Sequence, residues 1–313
     1  MKGLELSRKY YEQCGAPAIH QQFPELEGLA AAALCGSGSE CCGWDDEVSQ
    51  DHDFEPGFCL FLPDETVLDR RSAFLLERLY AKLPKTFEGF TRAPLSPVGG
   101  NRRGVMRTAE FFTQKVGAPD GVLTVAQWLT VPTQSLLEAT NGAVFRDELG
   151  ELTAIRQRLA RMPEDIRRKR LAGQLLLMAQ SGQYNYARCL RHGETGAAQL
   201  AAGEFCRAAM AAVFLLNGAY MPYYKWAFRA LAALPVLGEL AGTLEMLLTT
   251  GSEGALAEQK YDAMEAIAGL VIDELMAREL TRATCGDLEK HAYSVNDGIR
   301  DGDIRNLHIL AAI

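Results

Sequence analysis

Apolar and polar positions follow two different rhythms along the chain. Up to about residue 117, short and wholly apolar runs alternate with stretches of helical period; beyond it, helical period prevails almost throughout. The chain opens with a pattern that predicts a helix from about Leu4 to Gln13, after which Pro17 and Pro24 punctuate the path. Gly28 to Cys35 (GLAAAALC) is a continuous apolar run ended by Gly36. Its length and flanking glycines predict a buried strand, against the weak strand preference of alanine. Phe58 to Leu62 (FCLFL), bounded by Gly57 and Pro63, predicts a second strand. Asp64 precedes a helix predicted over Glu65 to Leu83, with Val67, Leu68, Phe74, Leu75, Leu79 and Leu83 as its apolar face. Arg92 to Gly104, rich in proline and glycine, reads as a loop, Val105 to Thr108 as a short strand and Glu110 to Lys115 as a short helix.

The later part reads as a succession of helices. They are Glu151 to Arg161, Pro163 to about Ala179, Thr195 to Leu216, Pro222 to Leu234, Leu237 to Leu248, Ser252 to Glu279 and Asp287 to Arg300. Short connections between amphipathic helices imply a bundle, because each apolar stripe can be covered only by its neighbours. The expectation is therefore an α+β chain of two domains, residues 1–117 and 118–313, the second all helical.

Composition changes this picture little. The 313 residues are 48% apolar and 23% charged, as in an ordinary globular protein. A net charge of −8 argues against a nucleic-acid partner, which selects a basic surface. The longest unbroken apolar stretch, Ala208 to Leu216, is far short of the ~20 residues of a membrane span. No secretory leader is read at the N-terminus, and eight cysteines without a Cys-x-x-Cys pair read as reduced thiols. The expectation is a cytoplasmic protein with no membrane partner. The five histidines show no zinc spacing.

Chemistry concentrates between Gly36 and Asp53 (GSGSECCGWDDEVSQDHD). Gly36-Ser37-Gly38-Ser39 follows the first predicted strand. Such a turn presents several N–H groups, and a helix starting near Ser39 would aim its positive end at the same place, together forming a phosphate cradle. A plain Gly/Ser turn is the alternative. Asp51-His52-Asp53 adds two carboxylates which, in an extended strand, share one face roughly 7 Å apart. Mg²⁺ would relieve their repulsion, since it takes one or two carboxylates together with nucleotide phosphates. Asp45, Asp46 and Glu47 read as an acidic, solvent-exposed loop without a role.

The order strand, Gly-Ser turn, short helix, Asp-x-Asp, strand resembles the nucleotidyltransferase superfamily, which includes the polymerase beta and aminoglycoside nucleotidyltransferase folds. The resemblance covers about the first third of the chain and implies a small mixed sheet. It further implies that Gly36, Ser37 and Ser39 hold the triphosphate and that Asp51 and Asp53 hold Mg²⁺ and serve catalysis. Active members carry a third carboxylate on a later strand. Val105-Met106-Arg107-Thr108 contains no acid, so Glu110, with Glu88 further away, is the nearest candidate. Glu55 could add a carboxylate, and His52 should face away from the pair.

Three later stretches resemble an uncharacterised family, domain of unknown function 4037, over about residues 120 to 235. They are Glu138 to Asp147 (EATNGAVFRD), Ser181 to Arg188 (SGQYNYAR) and Asn217 to Arg229 (NGAYMPYYKWAFR). Members of that family often follow a nucleotidyltransferase core. Tyr220, Tyr223, Tyr224, Lys225, Trp226 and Arg229 crowd rings beside cations, a combination suited to a base and its phosphates. Lys225 resembles the lysine that reaches nucleotide phosphates in aminoglycoside nucleotidyltransferases; Arg188 and Tyr224 are the further nucleotide contacts. An aromatic anchor at a helix start is the other reading of this stretch. Gln183 to Arg188, like Asn141, Arg146 and Asp147, could line a substrate cleft or turn the chain.

The functional expectation is a Mg²⁺-dependent nucleotidyltransferase. It would move a nucleoside monophosphate from a nucleoside triphosphate, ATP favoured, to a hydroxyl of a small molecule or a protein. The alternatives are an inactive nucleotide-binding or regulatory protein, and a helical interaction module with a vestigial front domain.

Overall fold

The structure, a computed structural model, describes residues 1–50, 54–92 and 102–313. In chain order these contain α1 (Gly3–Tyr10), α2 (Ala16–Gln22), β1 (Ala31–Leu34), β2 (Cys59–Leu62), α3 (Arg70–Lys82), β3 (Thr86–Phe87), β4 (Phe90–Thr91), β5 (Gly104–Arg107) and α4 (Thr108–Val116). There follow α5 (Val125–Thr130), α6 (Thr133–Thr140), β6 (Ala143–Arg146), α7 (Glu151–Leu159), α8 (Glu164–Met178), α9 (Ala187–Arg191) and α10 (Thr195–Leu216). The chain closes with α11 (Tyr224–Ala232), α12 (Leu240–Thr249), α13 (Gly254–Ala277), α14 (Leu288–Asp297) and α15 (Gly302–Asn306). The fold is α+β, as expected from the pattern.

The chain divides into two compact units. The first comprises Met1–Leu123 with Ser135–Arg161, the second Thr124–Gln134 with Met162–Ile313. The chain thus crosses between units more than once, where the sequence pattern suggested a single divide after residue 117. The reason is β6. A four-residue strand, it lies in the part that reads as helix, yet pairs antiparallel with β1 and takes α6 and α7 with it into the first unit.

The first unit is built on a mixed sheet in the order β5-β2-β1-β6. β1 runs antiparallel to β2, with Ala32 opposite Leu60, and β2 runs parallel to β5, with Leu60 opposite Val105. β1 lies between two partners and every one of its residues is buried, so a continuous apolar run satisfies both of its faces. The strand is shorter than the apolar run containing it, because the chain is still turning through Gly28 and Leu29. Along β2 the side chains alternate. Phe58, Leu60 and Leu62 join Tyr10, Tyr11, Leu76 and Leu79 in one core, while Phe61 meets Phe111 of α4 on the other face, ring centroids 5.1 Å apart. Burying each such side chain contributes about 1.5–3 kcal/mol.

Two expectations in this unit are corrected. The helix after β2 starts at Arg70 rather than Glu65. Asp69, not Asp64, accepts from the Ser72 N–H to cap it, while Asp64 instead accepts from Thr66 in a local turn. Its buried face is Ala73, Leu76 and Leu79, so Val67 (52% exposed) and Phe74 (55%) point to solvent. Near the N-terminus, Pro17 does not break the path: a π-helical turn, Tyr11–Gly15, joins α1 to α2 in one continuous helical path, and Pro17 lies at the start of α2 just beyond that turn.

The second unit is helical. α10, 22 residues, is long and apolar enough by length and composition to cross a membrane, but 61% of its most apolar window is buried within the structure, as in the core helix of a soluble protein. α8 packs against both α10 and α14. α8 ends where expected, near Ala179, but the chain continues beyond it as a π-helix, Ala179–Tyr186, into α9. Gly182 lies in this segment against the Phe205 ring, where an added Cβ would come within 2.4 Å of a ring carbon. Two buried lysines join separate segments of this unit. Lys169 Nζ donates to Asn296 Oδ1 and to the carbonyls of Arg305 and Leu307; Lys260 Nζ donates to Gln199, Ser252 and the Thr250 carbonyl. Burial lowers the pKa of both, and their hydrogen bonds offset the desolvation. All eight cysteines are free.

Candidate functional site

The turn after β1 carries the site. Gly36 (φ +108°) and Gly38 (φ +125°) take backbone conformations that a side chain would resist, and the chain reverses through them. The helix expected from Ser39 is a single 3₁₀ turn, Ser39–Cys42, too short to contribute a strong dipole. What surrounds the turn instead are side chains from α4 and α6.

α6 ends at Thr140, and Gly142 follows in the left-handed conformation (φ +69°), as helix C-termini favour. A Cβ on Gly142 would lie 1.9 Å from the Leu34 carbonyl oxygen, so only glycine lets the α6–β6 corner press against the end of β1. That contact delivers Glu138 and Asn141, three residues apart and hence on one side of the helix end, to the turn. Asn141 Oδ1 accepts from the Gly36 N–H at 2.9 Å, and its Nδ2 donates to the Gly36 carbonyl at 2.8 Å. Of the two sequence readings of Asn141, the structure supports the one that shapes the chain. The Gly36 N–H, counted among donors to a phosphate, is engaged by this amide.

Ser37 lies beside it. Its hydroxyl donates to Glu138 Oε2 at 2.9 Å and accepts from Lys115 Nζ at 3.1 Å, while Lys115 and Glu138 form an ion pair at 2.5 Å. Both charged side chains keep a little exposure, 16% for Lys115 and 17% for Glu138. Lys115 closes α4, the helix that follows β5. Neither Lys115 nor Glu138 was singled out by sequence reading. Glu138 enters that reading only as the first residue of the EATNGAVFRD stretch, and Lys115 only as the end of the helix predicted from Glu110.

Behind the turn is a second ion pair. Glu40, in the 3₁₀ turn, meets Arg103 at 2.9 Å, with side chains 11% and 7% exposed. Arg103 also donates to the Glu55 carbonyl, so it ties the segment before β2 to the turn after β1. The reading of residues 45–47 as a solvent loop is corrected at Asp45. Asp45 is 2% exposed and its carboxylate accepts from the Gly3 N–H at 2.8 Å, capping α1, with Lys2 alongside. Three thiols near the turn, Cys35, Cys41 and Cys59, are buried. Desolvation raises the pKa of each, that of Cys35 to about 11, so they persist as inert neutral thiols.

Asp51, His52 and Asp53 lie outside the described residues. Among the described residues no group of three or more His, Cys, Asp and Glu side chains forms a metal site. Glu110, in the first turn of α4, is exposed and lines a surface cleft with Glu65, Arg70, Phe74, Glu77 and Arg107, whereas Lys115, five residues on, turns to Ser37. Glu88 stands at the exposed tip of the β3–β4 hairpin. Arg107, where the third acid was sought, donates to the carbonyls of Pro63 and Leu68 and straps the chain leaving β2.

In the second unit, the guanidinium of Arg188 lies 5.0 Å over the Tyr184 ring and donates to its hydroxyl. Lys225 Nζ and the Arg229 guanidinium lie 5.2 and 4.8 Å from the Trp226 ring centroid. Tyr224, 75% exposed, packs against Tyr223 at the start of α11, ring centroids 4.1 Å apart and the planes tilted by 43°. Gln183 bonds to Glu265, to the Gly286 carbonyl and to the Leu288 N–H, holding the start of α14 while lining a cleft with Tyr184 and Asp287. In the first unit, Arg146 pairs with Glu27 and Glu148, and Asp147 accepts from the Thr153 N–H in the first turn of α7.

No curated protein and no solved structure matches this chain. Residues 128–227 match the model of the family described as Domain of unknown function (DUF4037), a segment that includes Glu138, Asn141, Arg188, Tyr224 and Lys225.

Proposed function

We propose that the protein is a nucleotidyltransferase that binds a nucleoside triphosphate, ATP foremost, with Mg²⁺, and transfers a nucleoside monophosphate to a hydroxyl of a small molecule or a protein. The observation that carries this reading is the turn between β1 and β2 of a mixed sheet, where Ser37 meets the ammonium of Lys115. A hydroxyl and a cation side by side at a glycine turn suit an oxyanion of a polyphosphate. In this reading Gly36, Ser37 and Ser39 shape and line the phosphate site. Asp51 and Asp53 would hold Mg²⁺, a donor set of two carboxylates that suits this ion when phosphates complete its shell. The ion would neutralise charge on the phosphates. Glu110 is the proposed third acid, and Lys225, Arg188 and Tyr224 are the proposed nucleotide contacts of the helical unit. Acceptor binding in a cytoplasmic setting, without nucleic acid, fits the acidic net charge.

One observation favours a second reading, a nucleotide-binding protein without transferase activity. β5 carries Arg107 rather than an acid, and that arginine serves the fold. Thermal unfolding with ATP, GTP, CTP and UTP, each with and without Mg²⁺, tests both. A nucleotide at about 100 times its Kd stabilises the chain by roughly 2.7 kcal/mol. The expected result is a Mg²⁺-dependent rise in Tm that disappears in Asp51→Ala/Asp53→Ala. Pyrophosphate release with an acceptor then separates transferase from binding protein. No shift with any nucleotide sinks both readings.

A further inference from the structure

We infer that Lys115 is the phosphate-binding cation of the Gly36–Ser37 turn and that Glu138 is an internal anion which a polyphosphate must displace. The inference rests on reading that turn as a phosphate cradle, and deepens it by naming the group that controls access.

The geometry is specific. A single carboxylate oxygen, Glu138 Oε2, lies 2.9 Å from the Ser37 hydroxyl oxygen and 2.5 Å from Lys115 Nζ, which are themselves 3.1 Å apart. These are the distances at which a phosphate oxygen would accept from the same two donors. The carboxylate therefore stands where the ligand's oxygen would stand. The Ser37 hydroxyl donates to Glu138 and accepts from Lys115, so Lys115 stands toward Ser37 as a donor, the role it would play toward an anion.

Occupation by Glu138 has two consequences. A polyphosphate that arrived beside the carboxylate would meet like charge, so binding requires Glu138 to swing away. Residual exposure of both Lys115 and Glu138 leaves solvent on one side for that exchange. Removal of the Glu138 charge leaves a partly buried cation without its counter-anion, and the site then takes up an external anion more readily. Glu138 also stands on α6, next to Asn141, which fixes Gly36. Exchange at Glu138 thus bears on the one helix end that shapes the turn.

Isothermal titration calorimetry with inorganic tripolyphosphate, which carries no nucleoside, tests this on the full chain. Glu138→Gln keeps the shape and a hydrogen-bonding group, and should bind tripolyphosphate about tenfold more tightly than wild type. Lys115→Met should bind about tenfold more weakly, and Lys115→Arg should recover most of the loss. Melting curves identify variants that fold. Should Lys115→Met not fold, the Glu138→Gln and Lys115→Arg comparison decides alone. Glu138→Gln binding no tighter than wild type overturns the inference, as does the absence of tripolyphosphate binding in every protein. A Mg²⁺–ATP melting shift that persists unchanged in Lys115→Met also overturns it, while the nucleotide reading stands. Tripolyphosphate binding with the expected order, but no shift with any nucleotide, upholds the phosphate site and removes the nucleotide reading.

Discussion

Glu40 and Arg103 illustrate what a single residue can and cannot reveal. In the sequence Glu40 is an acid in a Gly/Ser-rich turn and Arg103 a cation in a loop, both residue types that ordinarily face water. In the fold they form a pair that is almost wholly buried. Breaking such a pair strands the remaining charge, so Arg103→Met is expected to destabilise the chain by about 3–5 kcal/mol, read as a lower urea midpoint at an unchanged m-value. Adding Glu40→Gln should restore part of that loss, which a double-mutant cycle measures. Asp45 makes the same point. Three successive acids read as solvated surface, but the N-terminus of α1 sits over the first of them. Burial of a charge depends on a partner distant in sequence, here 42 residues away for Asp45 and 63 for Glu40, and no local pattern encodes it.

Among the elements, strong periodicity and chain punctuation were the legible features. β2, bounded by Gly57 and Pro63, lies within the run that predicts it, and β5, Gly104–Arg107, covers the strand expected over Val105–Thr108 except Thr108, which opens α4. α10 runs from Thr195 to Leu216 as its pattern demands. The start of α3 was not legible, since Asp64 and Asp69 are equally good caps by residue type, and packing chose the second. The missed strand β6 is a subtler case. Ala143–Arg146 is short and half-buried, and its residues carry no alternation strong enough to set it apart from the helices on either side. Gly142 is its one local signal. Gly142→Ala combines a left-handed backbone with a Cβ driven into the Leu34 carbonyl, and should cost about 2–5 kcal/mol in stability. Circular dichroism melting measures that loss. The variant should also loosen Glu138 and Asn141 from the turn, whereas a substitution with no effect on Tm would refute the corner's role.

For the whole molecule, the units do not follow chain order. Ser135–Arg161 returns to the first unit and supplies both the fourth strand and Glu138, which meets Ser37 and Lys115. The family match over residues 128–227 accordingly spans parts of both units rather than the helical one alone. A chain truncated after residue 117 lacks β6, which leaves the buried, alanine-rich β1 as an open edge. It is expected to aggregate or to melt without cooperativity, whereas a chain of residues 1–161 should retain a cooperative transition. Analytical size-exclusion chromatography and calorimetry of the two fragments distinguish these outcomes. Equal behaviour of both would show that the sheet does not need its fourth strand.

The sequence by itself determined the α+β class, the run of helices in the later part, and the place of the Gly-Ser turn at the end of a buried strand. Those properties follow from local periodicity and from residues whose backbone preferences act within a few positions. Tertiary structure alone decided which side chains meet at that turn. Lys115 and Glu138 lie 78 and 101 residues beyond Ser37; the β2–β5 pairing with α4 packed behind it brings the first to its hydroxyl, and the β1–β6 pairing with the close approach at Gly142 brings the second. Charge partners of this kind are set by the path of the chain through space, which short-range pattern does not specify.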